Sequence, residues 1–169
     1  MSIDRQLAQV RATLPAGVEL VAVSKTHPAE AIREAYEAGQ RLFGESRPQE
    51  LCAKYEALPR DIAWHMIGHL QTNKVRMIAP FVALIHSVDS ARLAETIERE
   101  AARCGRVIDI LLELHVADEA SKTGWAWDEL AAWLAADPFF TTSTCPSLIF
   151  SVFLTTCTSP FSSSLTTSS

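Results

Sequence analysis

Lys25 closes the run "VELVAVSK", residues 18–25, and puts an ammonium group at the end of an otherwise mostly apolar stretch. A lysine partly desolvated by such neighbours has its pKa lowered from about 10.4 toward neutrality. Its neutral amine can then attack an aldehyde and form a Schiff base. The same position also suits a rim lysine paired with a carboxylate such as Glu45, and structural ion pairs of that kind are common. Position alone leaves both roles open.

The other groups capable of chemistry are more scattered. His65 and His69 have the spacing of a helical metal pair, but they straddle the end of a strand, where that spacing does not bring two rings together. Asp118 and Glu119 lie in a loop and have the chemistry of an acid or a base, although loop carboxylates are usually just solvated. Trp125, Trp127 and Trp133 read as packing against a sheet, because a base-stacking platform needs basic neighbours and these are sparse. "ASKTG", residues 120–124, holds lysine and glycine in the wrong order for a phosphate loop. Cys52, Cys104, Cys145 and Cys157 form no CxxC pair, which favours a reduced, cytosolic protein over a disulfide scaffold.

These residues need a frame to hold them. A chain of 169 residues suffices for one domain with a real core, and a net charge of −5 leaves no basic footprint for nucleic acid. The N-terminus lacks a signal peptide's apolar core and no apolar run is long enough to span a bilayer, so a soluble, cytoplasmic protein without membrane contact is expected. Ile3, Leu7, Val10 and Leu14 form a helical stripe ended by Pro15 and Gly17. "ELVAVSK" has the continuous apolar pattern of a parallel strand covered on both faces. Pro28 opens a helix whose inner face is Ile32, Ala35 and Tyr36, with Gly39 suited to its end.

The unit then repeats. "RLFGE" is a strand, and Ser46 with Gln49 fits a capping box for a helix through Leu51, Tyr55 and Leu58. "IAWHMIG" is a third strand, followed by a short helix over about 72–78. "VALIHSV" is a fourth, with Asp89 or Ser90 capping a helix through Leu93, Ile97 and Ala101 to Gly105. "VIDILLELHV" is a fifth, and a helix over 127–136 stops at Asp137-Pro138. Alternating strands and helices with short connections predict an α/β fold with a parallel sheet. The pattern is that of a (β/α)8 barrel of the TIM type, of which about five units are visible; a full barrel typically needs ~250 residues. Functional residues of such barrels sit at the C-terminal ends of the strands. That rule selects Lys25, Glu45, Ser46, Gly68, His69, His86, Ser87 and His115.

Five motifs add to this reading: "AVSKTHP", "FGESRPQE", "WHMIGHLQTNKV", "HSVDS" and "DEASKTG", in that order. Together they resemble the pyridoxal phosphate homeostasis proteins, whose fold is similar to the N-terminal barrel of alanine racemase. The resemblance implies that Lys25 carries pyridoxal 5'-phosphate as a Schiff base and that Ser46 and His86 are candidate ring-side contacts. It implies a carrier or regulator in vitamin B6 homeostasis rather than an enzyme, monomeric or weakly dimeric. Ser46 stands where many members have asparagine. The alternatives are a racemase-like enzyme of the same superfamily and a non-functional fragment.

The resemblance fades after Pro138. Residues 139–169 contain no Lys, Arg, Asp, Glu or Gly and are rich in Ser and Thr. Residues 1–138 are therefore expected to form an incomplete barrel domain, and 139–169 a low-complexity tail, out of frame or disordered, that leaves the chain truncated. Within it "SLIFSVFL", residues 147–154, has the composition of a strand able to cover one open sheet edge. Self-association through the open edges is a further expectation.

Overall fold

The computed structural model describes residues 2–115 and 124–136 and a short strand at 153–154. In chain order the elements are α1 (Ile3–Thr13), β1 (Ala22–Val23), α2 (Ala29–Glu37), β2 (Leu42–Glu45), α3 (Pro48–Ala57) and β3 (Ala63–Met66). A 3-10 turn (Thr72–Lys74) then runs into α4 (Val75–Ile78), followed by β4 (Leu84–Val88), α5 (Ala91–Arg103), β5 (Asp109–Leu114), α6 (Trp127–Ala136) and β6 (Phe153–Leu154). Every strand pair is parallel, and strand order follows chain order. A helix returns the chain between each consecutive pair of strands from β1 to β5, and α6 follows β5, which is the winding of a (β/α)8 barrel. The structure is a partial barrel of five βα units, with β6 paired to Glu113 and Leu114 of β5. The remainder of residues 139–169 lies outside the described residues.

Strand register decides which side chains meet. Phe43 pairs with Trp64, Gly44 with His65 and Glu45 with Met66, while His65 is opposite Leu84 and Met66 opposite Ile85. Alternate residues share a face. Phe43, Trp64, Met66 and Ile85 thus point to the helix side, where they join Ile32, Leu51, Ile78, Leu93 and Ile97 in one buried cluster. Val23, Gly44, His65, Leu84 and His86 point to the concave side. α5 buries the expected stripe of Leu93, Ile97 and Ala101, and α2 buries Ile32 and Ala35. α2 gives way to Gly39 at φ +86°, where any side chain would strain the backbone.

Three expectations are corrected. β1 is not covered on both faces: it is the edge of the sheet, and Val23, on its concave side, is 52% exposed. Ser46 does not cap α3. The helix begins at Pro48 with Arg47 at the capping position and no side-chain cap bond, because proline's fixed φ and missing N–H suit the first helical position. Trp127 does not pack on the sheet but is 68% exposed, whereas Trp125 is buried with its ring centroid 4.9 Å from that of Trp133.

Candidate functional site

β1 stops at Val23, and the next residues make a tight turn. Ser24 N–H donates to Gly44 O at 2.9 Å, extending the β1–β2 ladder by one bond, and His27 N–H donates to Ser24 O at 3.1 Å. Thr26 has φ +67° whereas Lys25 is not in the left-handed region, the pattern of a type II turn with Lys25 at its second position. A β-branched residue in the left-handed region is uncommon, and such strain is held at a cost of ~1–3 kcal/mol. Lys25 is exposed. Among the described residues no strand pairs with the outer edge of β1. Among the described residues no hydrogen bond or ion pair is formed by its Nζ.

The carboxylate offered as a partner for Lys25 is engaged elsewhere. Glu45 lies on the helix side of β2 and is fully buried. Its Oε1 meets Lys54 Nζ of α3 at 2.6 Å and accepts from Ser24 Oγ at 2.6 Å. Lys54 Nζ also donates to Ser24 O at 2.8 Å. Glu45 Oε2 is buried and without a hydrogen-bond partner among the described residues. An unmet buried acceptor costs ~1–3 kcal/mol, and more for a charged group.

Ser46 follows Glu45 at the C-terminal end of β2. Gly68, beyond β3, crosses its backbone so closely that a Cβ on Gly68 would stand 2.4 Å from Ser46 O. Gly68 O in turn accepts from Ser87 Oγ at 2.5 Å, which ties the ends of β3 and β4 together. On the concave side His65 Nδ1 and His86 Nε2 are 3.0 Å apart, one ring donating to the other. Burial lowers the pKa of both, and the neighbouring His65 helps to hold His86 at about 4. Farther along the rim His69 Nδ1 meets Asp89 Oδ2 at 3.2 Å. Burial and the Asp89 charge raise the Glu113 pKa against the opposing pull of His69 and His115.

The His65–His86 pair has a pH consequence. Both rings charge near pH 6.5 in the unfolded chain but at lower pH in the folded one, so between those values the unfolded state binds more protons. Stability is therefore full above about pH 6.5 and is expected to fall as pH drops toward about 4. Thermal unfolding at stepped pH should show this fall, and His86→Gln should flatten it relative to the parent chain. An unchanged slope in that variant would remove the His65–His86 pair as its source.

Lys25, Ser46, Gly68, His69 and Ser87 thus lie at or beside the C-terminal ends of β1–β4, whereas His86 is the middle residue of β4. The structure joins His65 to His86, Gly68 to Ser46 and Ser87, and His69 to Asp89; it separates Lys25 from Glu45. His115 lies at the end of β5, where its N–H donates to Trp125 O. Asp118, Glu119, most of "DEASKTG", Cys145 and Cys157 lie outside the described residues. Among the described residues no group of three or more His, Cys, Asp or Glu could hold a metal ion, and no helix is long and apolar enough to cross a membrane. For pyridoxal phosphate, the residues present fit in kind: on a strained turn, an exposed amine with no partner among the described residues, and on the concave side of β3 and β4 a pair of neutral imidazoles. The loops after strands seven and eight, where barrels of this type seat a phosphate, are not among the described residues.

Lys54 is the polar residue that sequence reasoning missed. Its signal was a charged residue three positions after Leu51 and four before Leu58, on the apolar side of α3. A solvated lysine belongs on the opposite side.

Comparison with known proteins bears on this site. A family model described as "Alanine racemase, N-terminal domain" matches residues 1–155. A pyridoxal phosphate homeostasis protein of Aquifex aeolicus is 47% identical over 107 residues, 63% of this chain and 47% of the relative. The one from Escherichia coli is 37% identical over 153 residues, 80% of this chain and 65% of the relative. The chain therefore spans only about half to two thirds of the length of these relatives. PipY of Synechococcus elongatus, solved with PLP bound, superposes with a TM-score of 0.72 at 46% identity, covering 79% of this chain and 62% of that one. An alanine racemase of Bartonella henselae with covalently bound pyridoxal phosphate shares the fold at 19% identity, with a TM-score of 0.59 over 81% of this chain and 37% of that one.

Proposed function

From the premise that this chain belongs to the alanine racemase N-terminal domain family and is homologous to the pyridoxal phosphate homeostasis proteins, we propose that it binds pyridoxal 5'-phosphate on Lys25 and serves vitamin B6 homeostasis without catalytic turnover. The observation that carries the reading is Lys25 itself, an exposed amine with no competing partner among the described residues, at the C-terminal end of β1 within "AVSKTHP". Bound pyridoxal phosphate supplies an electrophilic aldehyde carbon and an electron-withdrawing ring. Lys25 Nζ is the group that would hold that carbon covalently, and Ser46 and His86 would stand beside the ring. His86, neutral at physiological pH, presents an imidazole rather than a charge there.

One consideration favours a carrier over a racemase. The relatives of high identity are homeostasis proteins, whereas the racemases share only the fold. The binding role is assigned to residues 1–138 and none to 139–169, in a cytoplasmic setting that keeps Cys52 and Cys104 reduced.

The test is to incubate the chain with pyridoxal phosphate, reduce with borohydride and map the labelled peptide. Label is expected on Lys25 and should vanish in Lys25→Ala, whose stability should stay within about 0.5 kcal/mol of the parent because an exposed lysine contributes little to the core. The loaded protein should leave the optical rotation of L-alanine unchanged. Label confined to Lys54, Lys74 or Lys122 would overturn the assignment, and sustained racemisation lost in Lys25→Ala would favour the enzyme.

A further inference from the structure

We propose that the buried Glu45–Lys54 pair is a positioning device that sets the direction in which Lys25 leaves the sheet; the inference rests on the reading of Lys25 as the attachment lysine. The argument begins at Ser24, which is 4% exposed and has every polar group engaged. Its N–H donates to Gly44 O, and its Oγ donates to Glu45 Oε1. Its carbonyl accepts from both His27 N–H and Lys54 Nζ. That carbonyl belongs to the peptide unit joining Ser24 to Lys25, and the unit is planar. Holding Ser24 O from α3 therefore fixes the plane from which the Lys25 backbone departs.

The next residue shows why such a hold is needed. Thr26 sits at φ +67°, a conformation that a β-branched residue leaves unless its surroundings over-determine it. The hold comes from the Ser24 side of the turn, since Lys25 and Thr26 are themselves exposed.

Stability alone does not account for the pair. The Lys54 side chain is 11% exposed and that of Glu45 is 0% exposed, so both charges are largely withdrawn from water. Burying them carries a desolvation cost that apolar residues of the same volume would avoid, and such replacements are often neutral or stabilising. The pair is also incompletely satisfied, since Glu45 Oε2 has no hydrogen-bond partner among the described residues. What the two charged groups share is Ser24: Glu45 accepts a hydrogen bond from its hydroxyl, and Lys54 donates one to its carbonyl.

The experiment separates positioning from packing by two readouts on the same variants. The first is amide hydrogen exchange at His27, whose N–H donates to Ser24 O and needs no cofactor. The second is the initial rate of borohydride-trapped labelling of Lys25 by pyridoxal phosphate, with Lys74 as the internal reference. Lys54→Met leaves a lone buried carboxylate and is expected to lower the melting temperature. The double variant Glu45→Gln/Lys54→Met removes both charges and should recover it. In that refolded background His27 exchange should still rise roughly tenfold and Lys25 labelling fall roughly tenfold, with Lys74 unchanged. Ser24→Ala, which keeps the ion pair and removes the hydroxyl that donates to Glu45 Oε1 and Gly44 O, should shift both readouts in the same directions by a smaller factor and is expected to fold even if the charge variants do not. Parent-like His27 protection in the folded double variant, or in Ser24→Ala, would overturn the positioning role. Absence of Lys25 label in the parent chain would instead sink the attachment assignment, and His27 exchange would still report on the clamp.

Discussion

Trp125→Ala is expected to cost about 3–5 kcal/mol, a large share of the ~5–15 kcal/mol that stabilises a typical domain. Trp125 is 1% exposed and joins three elements at once. Its N–H donates to Glu113 O at 2.8 Å and its carbonyl accepts from His115 N–H at 2.9 Å, a short parallel bridge alongside β5. Its indole Nε1 reaches across to Val88 O of β4 at 2.9 Å, and its ring packs against Trp133 of α6. Alanine would remove the ring area, the Val88 bond and the anchor of α6 together. Trp125→Phe keeps much of the area and loses the N–H donor, so its cost should be smaller, about 1–3 kcal/mol. Trp127→Ala, at a ring that is 68% exposed, should stay within about 0.5 kcal/mol. Urea unfolding of the three variants gives the ranking, and equal midpoints for Trp125→Ala and Trp127→Ala would refute this account of α6.

Gly68→Ala should be the most disruptive small substitution near the candidate site. The added Cβ would lie 2.4 Å from Ser46 O, 2.8 Å from Ser46 Cα and 2.9 Å from Ser46 Cβ. Backbone atoms cannot rotate away, so either the β2–α3 connection or the segment after β3 must move. Overpacking typically costs ~1–3 kcal/mol, and a clash with main chain belongs at or above the top of that range. Gly44→Ala is the matched comparison. Its Cβ would meet Ile67 Cδ1 at 3.1 Å and Ile67 Cγ2 at 3.2 Å, contacts with a side chain able to shift by tenths of an ångström. It should cost about 1 kcal/mol or less. Thermal unfolding of both variants tests the difference, and a Gly68→Ala chain as stable as Gly44→Ala would show that the Ser46 crossing is loose.

The element order of this protein could be read from its residues because the signals are local. Apolar stripes at helical spacing predicted α1, α2 and α5, and the runs "RLFGE", "IAWHMIG" and "VALIHSV" predicted β2, β3 and β4 to within a few residues. Five βα units in a row imply the barrel winding, because a parallel strand can follow its neighbour only through a crossover of consistent hand. The strand-end position of Lys25 came from the same local reading. The capping box at Ser46 failed for a local reason too, since Pro48 outcompeted it for the first helical position.

Pairings between elements were another matter. Nothing within a few residues of Glu45 indicates that it turns to the helix side and meets Lys54, because that depends on the β2 register and on the rotation of α3 about its axis. The approach of Gly68 to Ser46 and the contact of His65 with His86 likewise arise only when β2, β3 and β4 are set side by side. By itself the sequence determined which residues are helix, which are strand, and that a lysine stands at the end of the first strand. Only the tertiary structure decided which carboxylate that lysine does not pair with, because periodicity repeats over three or four residues whereas an ion pair between strand and helix depends on how whole elements pack.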